Sequence, residues 1–258
     1  MAPDLAPSQP SSPFIELEGV HKAIAGQEIL CGVNLEVREG ETMVLIGSSG
    51  GGKSVTLKHI IGLMRPDAGS VRIDGQCIAS LAERQLAAIR RKVGMLFQSG
   101  ALFDSMTVGQ NVAFPLRERG QRDPEILVAK ATEALDLVGL GEHLHKMPVE
   151  LSGGMRKRVA LARAMVTHPK CMLYDEPTAG LDPVATDAID HLIRRMQKRY
   201  EVTSVVVTHD MKSAYHIADR IAFLHEGSVY FCGSTEEVQA NDDPLLRDFV
   251  EGRSGGDL

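Results

Sequence analysis

Three places in the chain bring together residue types that handle phosphate. The first is GSSGGGKS, Gly47 to Ser54. It fits G-x-x-x-x-G-K-[ST], a phosphate-binding loop. Gly47, Gly50, Gly51 and Gly52, with Ser48 and Ser49 between them, let the main chain bend until several N–H groups face one anion. The helix that opens through Val55 adds positive potential at its N-terminus. Lys53 brings a full charge to the β- and γ-phosphates, and the Ser54 hydroxyl is a ligand for Mg²⁺. A Gly/Ser-rich linker is the bland alternative. It fails because an apolar strand precedes the motif and a helical stripe follows it. The pattern asks for a nucleoside triphosphate without naming the base.

The second place is CMLYDE, where Asp175 and Glu176 end an apolar run. In open α/β sheets ligands bind beyond the carboxyl ends of the strands. Asp175 can hold Mg²⁺ directly or through water, and Glu176 can polarise an attacking water. Two solvated acids beginning a turn before Pro177 are the competing reading, weakened by the phosphate loop. The third place is SVVVTHD, which puts His209 just past another apolar run. A lone histidine is more often structural than catalytic. Here its position at the same sheet edge as Glu176 favours a contact with the γ-phosphate and the water.

These residues need a scaffold that delivers them to one edge. The runs Met43–Ile46, Cys171–Tyr174, Val205–Val207 and Ile221–Leu224 are continuously apolar, as strands buried on both faces of a parallel sheet are. Between them lie helical stripes: Leu57, Ile60, Ile61 and Met64; Leu127, Ala131, Ala134, Leu135 and Val138; Met155, Val159, Ala162 and Val166. Alternating strands and helices predict a doubly wound α/β core. Phe14–Leu17, Asn34–Arg38 and Ser70–Asp74 read instead as a small antiparallel β layer on the N-terminal side. Helical patterning without a strand, from about Thr107 to Leu151, predicts a helical subdomain inserted into the core, spanning about residues 99–165.

In LSGGMRKRVALARAM, Ser152 stands where an N-cap belongs, and Gly153 and Gly154 leave backbone N–H groups uncovered. Arg156, Lys157 and Arg158 then oppose the helix dipole, a cost that a nearby anion would offset. A capped helix with a basic solvated face is the alternative.

The totals agree with this picture. The 258 residues carry a net charge of -6, with 43% hydrophobic and 24% charged residues. That suits one large α/β domain and disfavours a nucleic-acid partner, which calls for a basic excess. The four scattered cysteines form no Cys-x-x-Cys pair, so neither a zinc site nor a disulfide framework is expected. No apolar run approaches the ~18 residues that span a bilayer. The Pro- and Ser-rich start, with no secretory pattern, is expected to be a disordered tail over residues 1–13. One domain is expected over 14–240 and a C-terminal tail over 241–258.

GSSGGGKS, Gln98, LSGGM, CMLYDE, the loop Ala179-Gly180-Leu181-Asp182 and His209 occur in that order. In order and type they resemble the Walker A, Q-loop, signature, Walker B, D-loop and H-loop of the ABC ATPases, over roughly residues 14 to 240. The resemblance implies the P-loop NTPase fold and ATP hydrolysis with Mg²⁺. It also implies a head-to-tail pair of chains, with each ATP between Lys53 of one and Leu151, Ser152, Gly153, Gly154 and Met155 of the other. Gln98 would sense Mg²⁺ and the attacking water, so Ser54, Gln98 and Asp175 form the expected metal set. Leu181 and Asp182 would be D-loop residues. One departure stands out: where relatives carry an aromatic that stacks on adenine, the spacing leaves Ile24. An aliphatic side chain there implies weaker adenine selectivity.

One compact unit without sustained heptads favours the energy subunit of a membrane transporter over a soluble ABC ATPase acting on DNA or translation. The resemblance then implies an integral membrane permease as partner and a peripheral position on the cytoplasmic face of the inner membrane. FQSGALFDSMTVGQNVAFPLRE, Phe97 to Glu118, follows the Q-loop where the permease's coupling helix docks in the family. With Met155 in the signature, it resembles the Mla-type ATPases, which move phospholipid with an MCE-domain periplasmic protein. A glycine betaine or amino-acid importer is the alternative. Val108, Val112 and Leu116 share one helical face, as an ordinary amphipathic helix would have it. Ala101, Leu102 and Phe103 look more like a docking surface.

Overall fold

The computed structural model describes residues 13–253. β1 (Pro13–Ile24) and β2 (Gln27–Arg38) form an antiparallel hairpin. Ala25 and Gly26 close it at φ of 52° and 82°, the pair of positive values that a tight type I′ turn requires. β3 (Thr42–Gly47) leads directly to α1 (Lys53–Ile60). There follow β4 (Ala68–Ile73), β5 (Gln76–Cys77), α2 (Glu83–Arg90) and β6 (Val93–Leu96). The helical stretch holds α3 (Val108–Glu118), α4 (Pro124–Leu137), two 3-10 turns (Gly141–His143 and Pro148–Glu150) and α5 (Gly153–Met165). The chain then returns through β7 (Cys171–Asp175), α6 (Pro183–Tyr200), β8 (Thr203–Val207), α7 (Met211–Ile217), β9 (Arg220–His225) and β10 (Ser228–Ser234). It ends in α8 (Thr235–Ala240) and α9 (Pro244–Val250).

The larger sheet has six strands in the order β10-β9-β3-β8-β7-β6, parallel except for β10. Its continuous apolar runs have a simple cause. Val44, Ile46, Met172, Tyr174 and Val206 enter one core with α3 to α7, whereas Met43, Leu45, Cys171, Leu173, Val205 and Val207 enter a second core with α1 and α2. Each of these runs lines two cores, so its apolar residues do not face water. The second core is closed by a four-stranded antiparallel sheet, β2-β1-β4-β5, which supplies Phe14, Ile15, Leu17, Leu30 and Val33. The fold is the expected α/β P-loop NTPase core with an antiparallel layer.

Two of the larger sheet's strands, β6 and β10, were not legible as strands in sequence. β6 has only four residues, and Gly94 interrupts it. A Cβ on Gly94 would lie 2.4 Å from Met172 Sδ, so close strand packing explains this glycine. β10 is half exposed at the sheet edge and lacks a clear apolar pattern. Residues 1–12 and 254–258 lie outside the described part, so the tails expected there are not addressed. Within 241–253, part of the expected C-terminal tail, the chain forms α9. Asp243 caps it by accepting from the Leu246 N–H, Leu246 is buried, and the Phe249 ring lies 5.1 Å from that of Phe223. Asp followed by Pro is a helix-start signal, and the buried leucine then docks the helix. No described helix is long and apolar enough to cross a membrane.

Candidate active site

β3 delivers the glycine loop. Gly47, its last residue, has φ +147°, and a Cβ there would lie 2.3 Å from the Leu224 carbonyl oxygen on β9. Only glycine lets the chain leave the sheet at this point. Gly50 and Gly52 also have positive φ, and Gly52 is the residue before α1. Lys53 therefore begins the helix with its side chain folded back: Nζ donates to the carbonyls of Gly47 (2.7 Å) and Ser48 (2.8 Å). Burial lowers the Lys53 pKa, and the charges of Glu176 and Asp175 oppose that shift. Ser48, Ser49 and Gly50 are exposed around this ammonium. A bent main chain, a helix N-terminus and a lysine held inside the bend make an anion site.

β7 lies one strand from β3, with β8 between them. The ends of β7 and β8 bring the acids and the histidine to the loop. Ser54 Oγ donates to Asp175 Oδ1 at 2.8 Å. A hydroxyl and a carboxylate oxygen at this spacing are hard oxygen donors of the kind that hold Mg²⁺ while it keeps water. Among the described residues no group of three or more His, Cys, Asp or Glu could hold a metal ion. Glu176 has φ 49°, and its N–H donates to the Val207 carbonyl at 2.9 Å. This left-handed kink turns its carboxylate to His209, whose Nδ1 lies 2.9 Å from Oε2. The Glu176 side chain is 15% exposed and that of His209 71%, so the acid is recessed and the histidine open.

Gln98 sits in the turn after β6 with an exposed side chain. That side chain makes no hydrogen bond among the described residues, while its carbonyl accepts from Lys157 Nζ. The spacing of residues does not reveal Asn111, nor that Lys157 of the basic run turns inward. Asn111 is fully buried on α3. Its Oδ1 accepts from the Phe103 N–H at 2.8 Å, and its Nδ2 donates to the carbonyls of Phe103, Met106 and Thr107. One side chain thus fixes the loop 103–107. The signal was present: a polar residue one position from the buried Val112. Ala101 and Phe103 are exposed, whereas Leu102 packs against the core with Val108, Val112 and Leu116.

The basic cluster in the first turn of α5 departs from expectation. The three cations do not converge on an anion site. Arg156 donates to the Leu151 carbonyl and Arg158 to that of Val138, while Lys157 enters the interior. Main-chain carbonyls offset the unfavourable dipole here. Ser152 caps the helix by accepting from the Met155 N–H at 3.3 Å. A Cβ on Gly154 would lie 3.1 Å from Ala185, so this glycine lets α5 start close against α6, whereas one on Gly153 would meet Leu181 at an ordinary contact of 3.6 Å. Leu151 is buried and Met155 half-buried. Asp182 caps α6 through the N–H groups of Val184 and Ala185, both at 2.9 Å. Ile24 ends β1 and is 40% exposed. Its hairpin reaches the glycine loop through β2: a Cβ on Gly52 would lie 2.6 Å from Leu30 and 3.0 Å from the Ile29 carbonyl oxygen.

A glycine loop between strand and helix, an Asp-Glu pair at the end of a strand two places along the sheet and a histidine beside it define a P-loop nucleotide hydrolase. The family model described as ABC transporter matches residues 30–179. The chain belongs to this family, and it is an ABC ATPase, the ATP-binding subunit of an ABC transporter. "Probable ribonucleotide transport ATP-binding protein mkl" of Mycobacterium leprae is 41% identical, over 96% of this chain and 72% of its own length. "Intermembrane phospholipid transport system ATP-binding protein MlaF" of Escherichia coli K12 is 37% identical, over 94% of this chain and 90% of its own. "Methionine import ATP-binding protein MetN" of Caulobacter vibrioides is 43% identical, over 87% and 68%. Among solved structures, the dimeric post-hydrolysis state of the cassette MJ0796 bound to ADP and Pi is similar at a TM-score of 0.79 and 35% identity. That match covers 85% of this chain and 98% of the other.

Proposed function

We propose that this chain hydrolyses ATP at the cluster around Lys53 and Glu176, as one of two copies that drive a membrane permease carrying phospholipid between membranes. The observation that carries the chemistry is convergence. Lys53, Ser54, Asp175, Glu176 and His209 come from three segments and meet at one sheet edge through the contacts above. The residues Gly47 to Val55 cradle the phosphates, and Lys53 neutralises the β- and γ-phosphates. Mg²⁺, held by Ser54 and Asp175 with Gln98 nearby, supplies further neutralising charge to the phosphates when bound. Glu176 accepts the proton of the attacking water, and His209 orients Glu176 and the γ-phosphate. Phosphoryl transfer depends on positioning and charge stabilisation, and this cluster provides both.

Half of each site comes from the second copy. The amides after Ser152 at the start of α5, with Gly153, Gly154 and Met155, meet the ATP of the partner subunit, and Leu181 and Asp182 adjoin them. The dimeric state of the similar MJ0796 cassette supports this arrangement. The chain sits on the cytoplasmic face of the inner membrane, bound to its permease through the loop held by Asn111.

Lipid is the favoured cargo because the phospholipid-transport relative aligns over nearly its whole length and the Phe97–Glu118 segment resembles that type. Its partner set then includes an MCE-domain periplasmic protein. The methionine-import relative favours the second reading, a solute importer. Purification of the tagged chain with its permease in native detergent separates the two. Co-purification of an MCE-domain protein supports lipid transport; a periplasmic solute-binding receptor in its place rejects it.

A further inference from the structure

The buried ammonium of Lys157 is not used by any of the roles above. Its side chain leaves α5 and ends between two acceptors far apart in sequence, the carbonyl of Gln98 and the carbonyl of Glu176, the latter at 3.3 Å. The residue is 6% exposed. Burial lowers its pKa, while Glu176 and Asp175 raise it. A methionine would fill the same volume without the cost of desolvating a charge, so packing alone does not account for a lysine here. Two turns along α5, the Arg163 guanidinium donates to the carbonyls of Gly100 (2.9 Å) and Ala101 (2.8 Å). The stretch 98–101 is therefore suspended from α5 by two cations. Of these two, Lys157 also grips the strand end that carries Glu176.

We propose that Lys157 is a positioning residue for hydrolysis: one ammonium holds the main chains of Gln98 and Glu176 together and so sets how their side chains face the attacking water. The inference rests on the roles proposed for those two residues. Its consequence is mechanical. Both carbonyls are tied to a helix whose first turn carries Ser152 to Met155, so the spacing of Gln98 and Glu176 follows the position of α5. A displacement of α5 that strains this tie misaligns the site without disturbing the glycine loop, which Lys157 does not touch. Small misplacements of reacting groups cost large factors in rate.

The test uses the full chain with Mg-ATP, in single-turnover reactions with protein in excess, beside equilibrium measurement of ATP affinity. Lys157→Met keeps the stem and removes the donors. It is expected to slow turnover by about tenfold to a hundredfold while the ATP Kd stays within about twofold. Lys157→Arg, which restores charge and donors, is expected to recover most of the rate. Wild-type turnover in Lys157→Met overturns the proposal. So does an equal loss in the Met and Arg variants, which would mark the site as one of shape. Should Lys157→Met fail to fold, Lys157→Gln carries the same comparison of rate against affinity. Glu176→Gln is run in parallel. If it too turns over normally, the reading of the site has failed, whereas arrest there with normal turnover in Lys157→Met rejects Lys157 alone.

Discussion

Replacing Glu176 with glutamine removes a proton acceptor and almost nothing else. The side chains are isosteric. The φ of 49° is equally demanding for either residue, and the bond from the residue 176 N–H to the Val207 carbonyl belongs to the main chain. The amide can still pair with His209 Nδ1, now 2.9 Å from Oε2. Folding stability should stay within about 0.5 kcal/mol of wild type. Catalysis should not. A positioned general base contributes roughly 10² to 10⁴ in rate, which is about 3–5 kcal/mol of barrier. The side chain is 15% exposed, so bulk water has limited access to take over its task. ATP binding should hold or tighten, because a carboxylate beside Asp175 repels the γ-phosphate. Single-turnover hydrolysis measures the rate, and gel filtration with Mg-ATP measures the population of paired chains. The expected result is arrested turnover with dimer accumulating. Turnover within about threefold of wild type, less than 1 kcal/mol on the same scale, would refute the role assigned to Glu176.

Other substitutions probe the rest of the cluster. Lys53→Ala removes a charge-assisted contact worth about 1.5–3 kcal/mol, so ATP affinity should fall by about tenfold to a hundredfold together with turnover; normal values for both reject Lys53 as the phosphate ligand. Ile24→Tyr should strengthen nucleotide binding by less than the ~1–3 kcal/mol that stacking can supply and should widen the preference for ATP over GTP. Unchanged affinity for both nucleotides in titrations would show that the base lies elsewhere. Asp190 on α6 accepts from Ser213 Oγ at 2.7 Å, but its Oδ1 has no partner, and burial raises its pKa. An acid whose folded pKa is raised stabilises the fold below its unfolded value, about 3.9, and that contribution is lost as pH rises through the folded value. Asp190→Asn should therefore gain in melting temperature relative to wild type as pH increases from about 4; a difference that stays flat with pH contradicts the assignment.

Much of this protein is legible along the chain because its chemistry is local there. A phosphate loop needs glycines, a lysine and a hydroxyl within eight consecutive residues, since one bend and one helix start do the work. Asp175 and Glu176 follow their strand directly, and the strands announce themselves because each lines two cores. The sequence pattern marks 241–258 only as a C-terminal tail, because α9 within it is short and its docking depends on one leucine. β6 was missed because its glycine serves a neighbour, Met172, which is distant in sequence.

What sequence could not decide is where the charges of α5 go. Arg156, Lys157 and Arg158 are three consecutive cations, alike on paper. Helical geometry sends them in three directions, two to main-chain carbonyls near the surface of the helical region and one between Gln98 and Glu176. The same holds for Asn111, whose four bonds to the 103–107 loop exist only once α3 turns it inward. Residue types and spacing determined that this chain handles ATP, because those requirements are met by neighbours in sequence. Tertiary structure alone decided how the Gln98 loop, the acid at position 176 and the helix beginning at Gly153 are joined. That joint is made by a buried cation reaching carbonyls 59 and 19 residues away, and only packing brings them within its reach.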